Sequence, residues 1–166
     1  MVHYEIRATI MLRISRLTDC GTMILVHLAS RGGRVCSASD VAAGTHVALP
    51  TVQKILKLLA RSGLIVSARG AEGGYALSRP PESISAADIL DVLEGPVAIT
   101  ECSLSDSHCE LESHCQVGGA WQKINRSIRM ALGDITLADL SRPARELPVT
   151  SLTHGIGRTL SRPERS

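Results

Sequence analysis

Residues 37–61 read SASDVAAGTHVALPTVQKILKLLAR, two short helical patterns separated by a brief turn. Ser37, with Asp40 three residues later, predicts a capping box at the start of the first helix, and Gly44 predicts its end. Pro50 suits the first turn of the second helix, where proline is tolerated. Two short helices joined by a turn of about three or four residues predict a helix-turn-helix, whose second helix enters the major groove of DNA.

The second helix of this pair separates apolar from polar side chains. Apolar residues at helical spacing predict a buried stripe of Val52, Ile55, Leu56 and Leu59. The outward face is polar and carries Thr51, Gln53, Lys54, Lys57 and Arg61. We expect Thr51, Gln53 and Lys54, at the start of the helix, to contact base edges of DNA. Lys57 and Arg61 are expected to contact phosphates.

A β-hairpin is predicted directly behind the two helices. Residues 64–69 and 75–79 predict its strands, and the glycine-rich sequence GAEGG at residues 70–74 predicts its tip. A hairpin at this place in the chain is a wing. We expect Arg69 and Arg79 to flank the tip of the wing, where a phosphate or the minor groove of DNA passes.

Helical patterns also lie on both sides of this region. Residues 12–29 predict a helix for which Thr18 or Asp19 serves as the cap or as an early-turn acid, with Gly32-Gly33 ending it. Downstream, residues 85–93 predict a short amphipathic helix. Residues 121–132 predict a longer helix that is apolar on one face, which is typical of a dimerisation element.

The net charge of +2 conceals a strong division along the 166 residues. Residues 1–36 and 37–80 each carry five Lys or Arg against two acids, whereas residues 81–116 carry eight acids and no Lys or Arg. A basic N-terminal half joined to an acidic block favours nucleic-acid contact in the first part and different chemistry in the second. The sequence contains no apolar run long enough to span a bilayer and no catalytic motif, so we predict neither a membrane protein nor an enzyme.

Three of the five cysteines lie in the acidic block, at Cys102, Cys109 and Cys115. The absence of a secretory signal pattern predicts a cytoplasmic protein, in which clustered cysteines are typical of metal or redox sites. Their spacing is wider than that of structural zinc sites and suits an iron–sulfur cluster. A zinc site or a thiol redox switch stays open, although the neighbouring carboxylates disfavour thiolates unless a metal cation compensates. Cys20 and Cys36 are predicted to be small core residues.

These features together resemble the Rrf2 family of bacterial transcription regulators. The resemblance rests on the helix-turn-helix, the wing sequence RGAEGGY at residues 69–75, the three-cysteine loop and the sequence DITLADL at residues 134–140, and it extends from about residue 12 to residue 140. Within the family the chain is most similar to regulators of iron–sulfur cluster assembly, with the nitric-oxide-sensing branch next. The resemblance implies a homodimer with a winged helix-turn-helix, a long dimerisation helix and a cluster bound in the loop.

The resemblance also implies the ligands of that cluster. Cys102, Cys109 and Cys115 match the three thiolate ligands of the family. Assembly regulators place a histidine three residues after the last cysteine, but that position is Gly118 here. In the nitric-oxide-sensing branch an aspartate of the first helix reaches across the dimer, and Asp19 stands at the matching position, so it is the first candidate, ahead of His114 and His108. A 2Fe-2S cluster is favoured and a 4Fe-4S cluster stays open.

The sequence therefore predicts a mainly α fold with a small β-hairpin, a winged helix-turn-helix followed by a C-terminal dimerisation helix. The predicted divisions are an extension at residues 1–10, the DNA-binding region at 11–80, the acidic loop and dimerisation helix at 81–140, and a disordered tail at 141–166. The expected function is that of a cluster-sensing regulator, a repressor, of iron–sulfur assembly genes. Its expected partners are double-stranded operator DNA and a second copy of the chain, with the iron–sulfur assembly machinery as a further candidate.

Overall fold

The computed structural model describes residues 14–70, 73–96 and 117–142. The helices of these ranges are α1 (Arg16–Ser30), α2 (Ala38–Thr45), α3 (Leu49–Arg61), α4 (Ala86–Leu93), α5 (Gly118–Asp134) and α6 (Leu137–Leu140). Strands β1 (Ile65–Ala68) and β2 (Gly74–Leu77) form an antiparallel hairpin, and Pro81–Ser83 form a short 3-10 helix. The predicted mainly helical fold with a small hairpin is confirmed. The N-terminal extension, the three-cysteine loop and the tail beyond residue 142 lie outside the described residues.

Helix α1 begins at a cap that the sequence analysis did not identify. Ser15 is extended, and its hydroxyl oxygen accepts a hydrogen bond from the backbone N–H of Thr18 at 3.3 Å. Thr18 and Asp19 are therefore not the cap, because the helix already includes both residues. The alternative prediction, that Asp19 is an early-turn acid, is confirmed. The predicted end is confirmed, since Gly32 and Gly33 take φ values of +60° and +83° just after the helix.

The helix-turn-helix consists of α2 and α3. The predicted capping box is present, with Ser37 and Asp40 bonding to each other's backbone N–H at 3.1 Å. The predicted end at Gly44 is wrong by one residue, because α2 continues to Thr45. His46 then takes the left-handed conformation, with φ of +56°, that a glycine usually adopts after a helix. In α3 the predicted stripe of Val52, Ile55, Leu56 and Leu59 is completely buried.

The core forms where α1 and α3 meet the helices that follow the wing. The buried side chains of α1 are Ile24, Leu25 and Leu28, and α4 adds Ile89 and Leu93. Each fully buried side chain of this size contributes about 1.5 to 3 kcal/mol by removal of apolar surface from water. Cys36 is also buried and Cys20 is half-buried against this core, as predicted for both.

The register of the wing places its two arginines at opposite ends. Ile65 pairs with Leu77 at the base and Ala68 pairs with Gly74 near the tip. Arg69 therefore follows β1 at the tip, as predicted. Arg79 does not flank the tip, because it lies beyond the base of the hairpin, where its guanidinium forms an ion pair with Asp88 of α4 at 2.9 Å.

A backbone bridge fixes the wing to the helical body. The N–H of Cys36 donates to the carbonyl of Tyr75 at 2.9 Å, and the N–H of Tyr75 donates to the carbonyl of Cys36 at 2.8 Å. Gly74 permits this approach, because a Cβ there would overlap the Cys36 carbonyl oxygen and lie 2.6 Å from its carbon. The glycines of the wing thus serve close backbone packing as well as the turn.

Helix α5 is longer than the predicted residues 121–132 and packs against α4. Arg129 donates two hydrogen bonds to the carboxylate of Asp91, at 2.9 and 2.8 Å. Three apolar side chains of α5 stay substantially exposed: Trp121 at 39%, Ile124 at 44% and Met130 at 65%. An apolar face left exposed on a helix fits the predicted dimerisation role.

Candidate nucleic-acid interface

An open groove lies on the outward face of α3, beside the start of α1. Its lining residues are Leu17, Pro50, Gln53, Lys54, Lys57, Leu58 and Arg61. Four of the side chains predicted to contact DNA are thus brought together on one surface. Three of them are cations, and the lining contains no acid. A basic rim over an apolar floor attracts a polyanionic backbone.

The other two predicted DNA contacts lie near this groove in sequence but outside its lining. Thr51 is exposed in the first turn of α3. Arg69 is exposed at the tip end of β1. Their roles toward bases and phosphates stay predictions, as do those of the groove residues.

A histidine lies between the first two helices. The ring of His27 on α1 fills the space above Gly44 of α2, so that a Cβ on Gly44 would overlap the ring. Burial, and then the positive charge of Arg31, lower the pKa of His27 below its usual 6.5. Arg31 Nε lies 3.4 Å from Nε2 of the ring, a geometry that suits a neutral imidazole accepting the hydrogen bond. The ring of His27 thus lies between α1 and α2, in surroundings that favour its neutral form.

Of the candidate metal ligands, only Asp19 lies among the described residues. Asp19 lies in the first turn of α1, with its side chain exposed and without a hydrogen-bond or ion-pair partner in the part of the chain that the structure describes. Cys102, Cys109, Cys115, His108 and His114 lie outside that part. Among the described residues, no group of three or more His, Cys, Asp or Glu side chains is placed to hold a metal ion.

Glu94 makes a contact with α1 that no sequence pattern predicted. The backbone N–H of Ser15 donates to Oε1 of Glu94 at 2.9 Å, and the hydroxyl of Thr18 donates to the same oxygen. Hydrogen bonds from Ser15 and Thr18 lower the pKa of Glu94 below its usual 4.5. Because 79 and 76 residues separate the partners, no local spacing could have indicated the contact.

A helix-turn-helix followed at once by a two-stranded wing, with a basic outward face on the second helix, defines a winged helix-turn-helix DNA-binding protein. The sequence model of the Rrf2 family, described as an iron-dependent transcriptional regulator, matches residues 14–143. The chain belongs to the Rrf2 family, whose members are transcription regulators that bind DNA and form homodimers. Within the described ranges, no helix is long and apolar enough to cross a membrane.

Individual relatives support the same assignment. Protein rrf2 of Nitratidesulfovibrio vulgaris is 28% identical over 138 residues, which cover 82% of this chain and 92% of that protein. CymR, the global cysteine regulator of B. subtilis, is 32% identical with a TM-score of 0.60, over 78% of this chain and 96% of its own. IscR of T. potens is 33% identical with a TM-score of 0.55, over 78% and 85%. The similar structures thus include both a cysteine regulator and an IscR.

Proposed function

We propose that this chain is an Rrf2 regulator that binds an iron–sulfur cluster and controls iron–sulfur assembly genes. The observation that carries the proposal is the exposed carboxylate of Asp19, which has no partner within the described residues. It lies on α1, the same helix whose Leu17 lines the basic groove. A cluster ligand at this position would connect metal binding directly to the DNA-binding face.

The donor set suits an iron–sulfur cluster. Cys102, Cys109 and Cys115 supply three soft thiolates, the preferred ligands of such clusters, and Asp19 supplies the fourth donor, from the same or the partner protomer. Four acids lie in the sequence between residues 101 and 112 without a Lys or Arg among them. The positive charge of the iron would offset their repulsion of the thiolates. A bound 2Fe-2S cluster supplies redox and ligand-exchange chemistry that responds to iron supply and oxidants.

The basic groove on α3 supports a mode of operator recognition by the side chains of this helix. Thr51, Gln53 and Lys54 contact base edges, while Lys57 and Arg61 contact the phosphates beside them. Arg69 at the wing tip contacts the minor groove or the backbone. Two protomers read a two-fold-related site in double-stranded DNA. Delivery of the cluster by the iron–sulfur assembly machinery is a further part of the proposal.

Anaerobic purification tests the proposal. The wild-type chain should be coloured, with iron and acid-labile sulfide in equal amounts, and Cys109→Ala should lose both. Asp19→Leu should change the visible spectrum, whereas Asp134→Leu, at an exposed aspartate in the last turn of α5, should leave it unchanged. Operator fragments selected from genomic DNA should bind with different affinity before and after cluster removal. A colourless protein without iron and sulfide would refute the cluster.

The position of Asp19 also favours a second candidate, a nitric-oxide-sensing regulator with a 4Fe-4S cluster. In that branch the resemblance places the fourth ligand on the first helix, where Asp19 lies. Nitric oxide added to the anaerobic protein should then bleach the spectrum and release the operator, while iron limitation alone should not. Zinc bound without sulfide would instead identify a zinc-dependent regulator, and a metal-free protein whose operator affinity changes on oxidation would identify a thiol switch.

A further inference from the structure

Glu94, at the C-terminal end of α4, completes the N-terminal cap of α1. It follows α4 directly, and its carboxylate accepts hydrogen bonds from the N–H of Ser15 and the hydroxyl of Thr18. The first N–H groups of a helix have no partners within the helix, and residues just before it usually satisfy them. Here a carboxylate that is remote in sequence does part of this work, and its negative charge suits the positive end of the helix dipole.

The same end of α4 is packed closely against α1. Leu93 is 7% exposed and lies against Gly21, where a Cβ would come within 2.5 Å of its Cδ1. Because no side chain of Gly21 separates the two helices, a shift of the last turn of α4 is transmitted to α1 instead of being absorbed by rotamer changes.

Helix α1 in turn forms part of the DNA-binding face. Leu17, which lies between the two residues bound by Glu94, lines the groove together with Lys57 and Leu58 of α3. On the other side of Glu94 the chain turns at Gly95, whose φ of +93° is rarely adopted by other residues, and Cys102 follows eight residues after Glu94. Glu94 therefore precedes the cysteine-containing segment along the chain, and its carboxylate contacts the helix that lines the groove.

We propose that Glu94 is a positioning residue that couples the chain after α4 to the DNA-binding face by ordering the first turn of α1. The proposal rests on the proposed function, because it gives the cysteine segment a route to DNA. A change of chain direction at Gly95 displaces the Glu94 carboxylate, and Ser15 and Thr18 lose their acceptor. The first turn of α1 then frays, and Leu17 leaves the floor of the groove.

Amide hydrogen exchange on the full-length chain tests the contact without DNA or cofactor. Glu94→Ala should raise the amide exchange rate at Ser15 about fivefold, the effect of losing a hydrogen bond of ordinary strength. It should also raise the rate at Thr18, whose N–H donates to the Ser15 hydroxyl, because the first turn of the helix frays. Glu94→Gln should raise them less, because its amide oxygen still accepts. Gly95→Ala, whose Cβ would touch nothing within 4 Å but would strain the backbone, should also raise them. In the double variant with Glu94→Ala, the Gly95→Ala substitution should raise the exchange rates no further than Glu94→Ala alone.

Two variants serve as matched controls. Glu82→Gln removes the same charge from the exposed surface of the 3-10 helix. Gly32→Ala strains a positive φ of +60° at the opposite end of α1, again with nothing within 4 Å of the new Cβ. Neither should raise exchange at Ser15. In fluorescence anisotropy, Glu94→Ala should bind the selected operator about threefold to tenfold more weakly, and Glu82→Gln should bind it as the wild type does.

The outcomes separate this proposal from the proposed function. Unchanged exchange at Ser15 in Glu94→Ala, or an equal rise in Gly32→Ala, overturns the contact as a specific cap. If Gly95→Ala raises the exchange rate at Ser15 by the same factor in the wild type and in Glu94→Ala, the coupling through Glu94 is overturned. If Glu94→Ala exchanges faster at Ser15 but binds the operator as tightly as Glu82→Gln does, the link between the cap and DNA binding is overturned. If the wild type binds no DNA, the proposed function fails, and the exchange rates still decide the coupling.

Discussion

Gly74→Ala is expected to detach the wing from the helical body. The new Cβ would overlap the Cys36 carbonyl oxygen and lie 2.6 Å from its carbon and 2.9 Å from Val35 Cγ1. The first two atoms are backbone and cannot rotate away, so the bridge between Cys36 and Tyr75 must open. The bridge consists of two hydrogen bonds, at 2.9 and 2.8 Å.

The expected loss follows from these contacts. Two backbone hydrogen bonds contribute about 1 kcal/mol each, and overpacking costs about 1 to 3 kcal/mol, part of which is relieved when the bridge opens. We therefore expect the free energy of unfolding to fall by about 2 to 4 kcal/mol. In urea denaturation followed by circular dichroism, the midpoint should fall by about 1 to 2 M. The protomer concentration must be equal in all samples, because dimerisation contributes to stability.

Gly119→Ala is the matched control. Gly119 is exposed in α5, and a Cβ there would meet nothing within 4 Å. This substitution should leave the midpoint unchanged or raise it slightly, since alanine favours a helix over glycine by up to about 1 kcal/mol. A Gly74→Ala variant that unfolds at the wild-type urea concentration would refute the role of the close backbone approach in fixing the wing.

Two further predictions concern the helical body. Because burial and Arg31 lower the pKa of His27, the folded chain binds its proton less readily than the unfolded chain. The free energy of unfolding should therefore fall as the pH drops below 6.5, and it should fall less steeply in His27→Gln. Urea titrations of both proteins at several pH values measure this dependence. An equal dependence on pH in the wild type and in His27→Gln would contradict this account. Arg129→Lys loses the paired hydrogen bonds to Asp91, but both side chains are about one-third exposed. Its melting temperature should fall by no more than about 3 °C, and a larger drop in calorimetry would show that this contact is a major support of α5.

Local signals explain how much of the fold the sequence could predict. The capping box at Ser37 and Asp40 and the stripe of α3 act within a few residues, so their patterns carry the information. The end of α2 shows the limit of such signals. Gly44 predicts the end of the helix, but the left-handed residue that follows the helix is His46. The sequence misplaces the cap of α1 for a related reason, because Ser15 lies inside a longer apolar pattern that starts at residue 12.

The candidate site divides in the same way. Gln53, Lys57 and Arg61 fall on one face by helical spacing, and the groove confirms that they share a surface. The contribution of Leu17 depends on how α1 packs beside α3, which no local pattern encodes. The contact of Glu94 with Ser15 likewise joins elements far apart in the chain, and that of Arg79 with Asp88 joins two residues nine positions apart.

The salt dependence of operator binding tests the central claim that the outward face of α3 contacts the DNA backbone. The affinity of the wild type, Lys57→Gln and Lys123→Gln is measured by fluorescence anisotropy over a range of salt concentrations; Lys123 is an exposed lysine of α5. Each lost phosphate contact reduces the slope of log affinity against log salt by about 0.9, so Lys57→Gln should reduce it by about 2 in the homodimer. Lys123→Gln should keep the wild-type slope. A Lys57→Gln slope equal to that of the wild type would contradict the account.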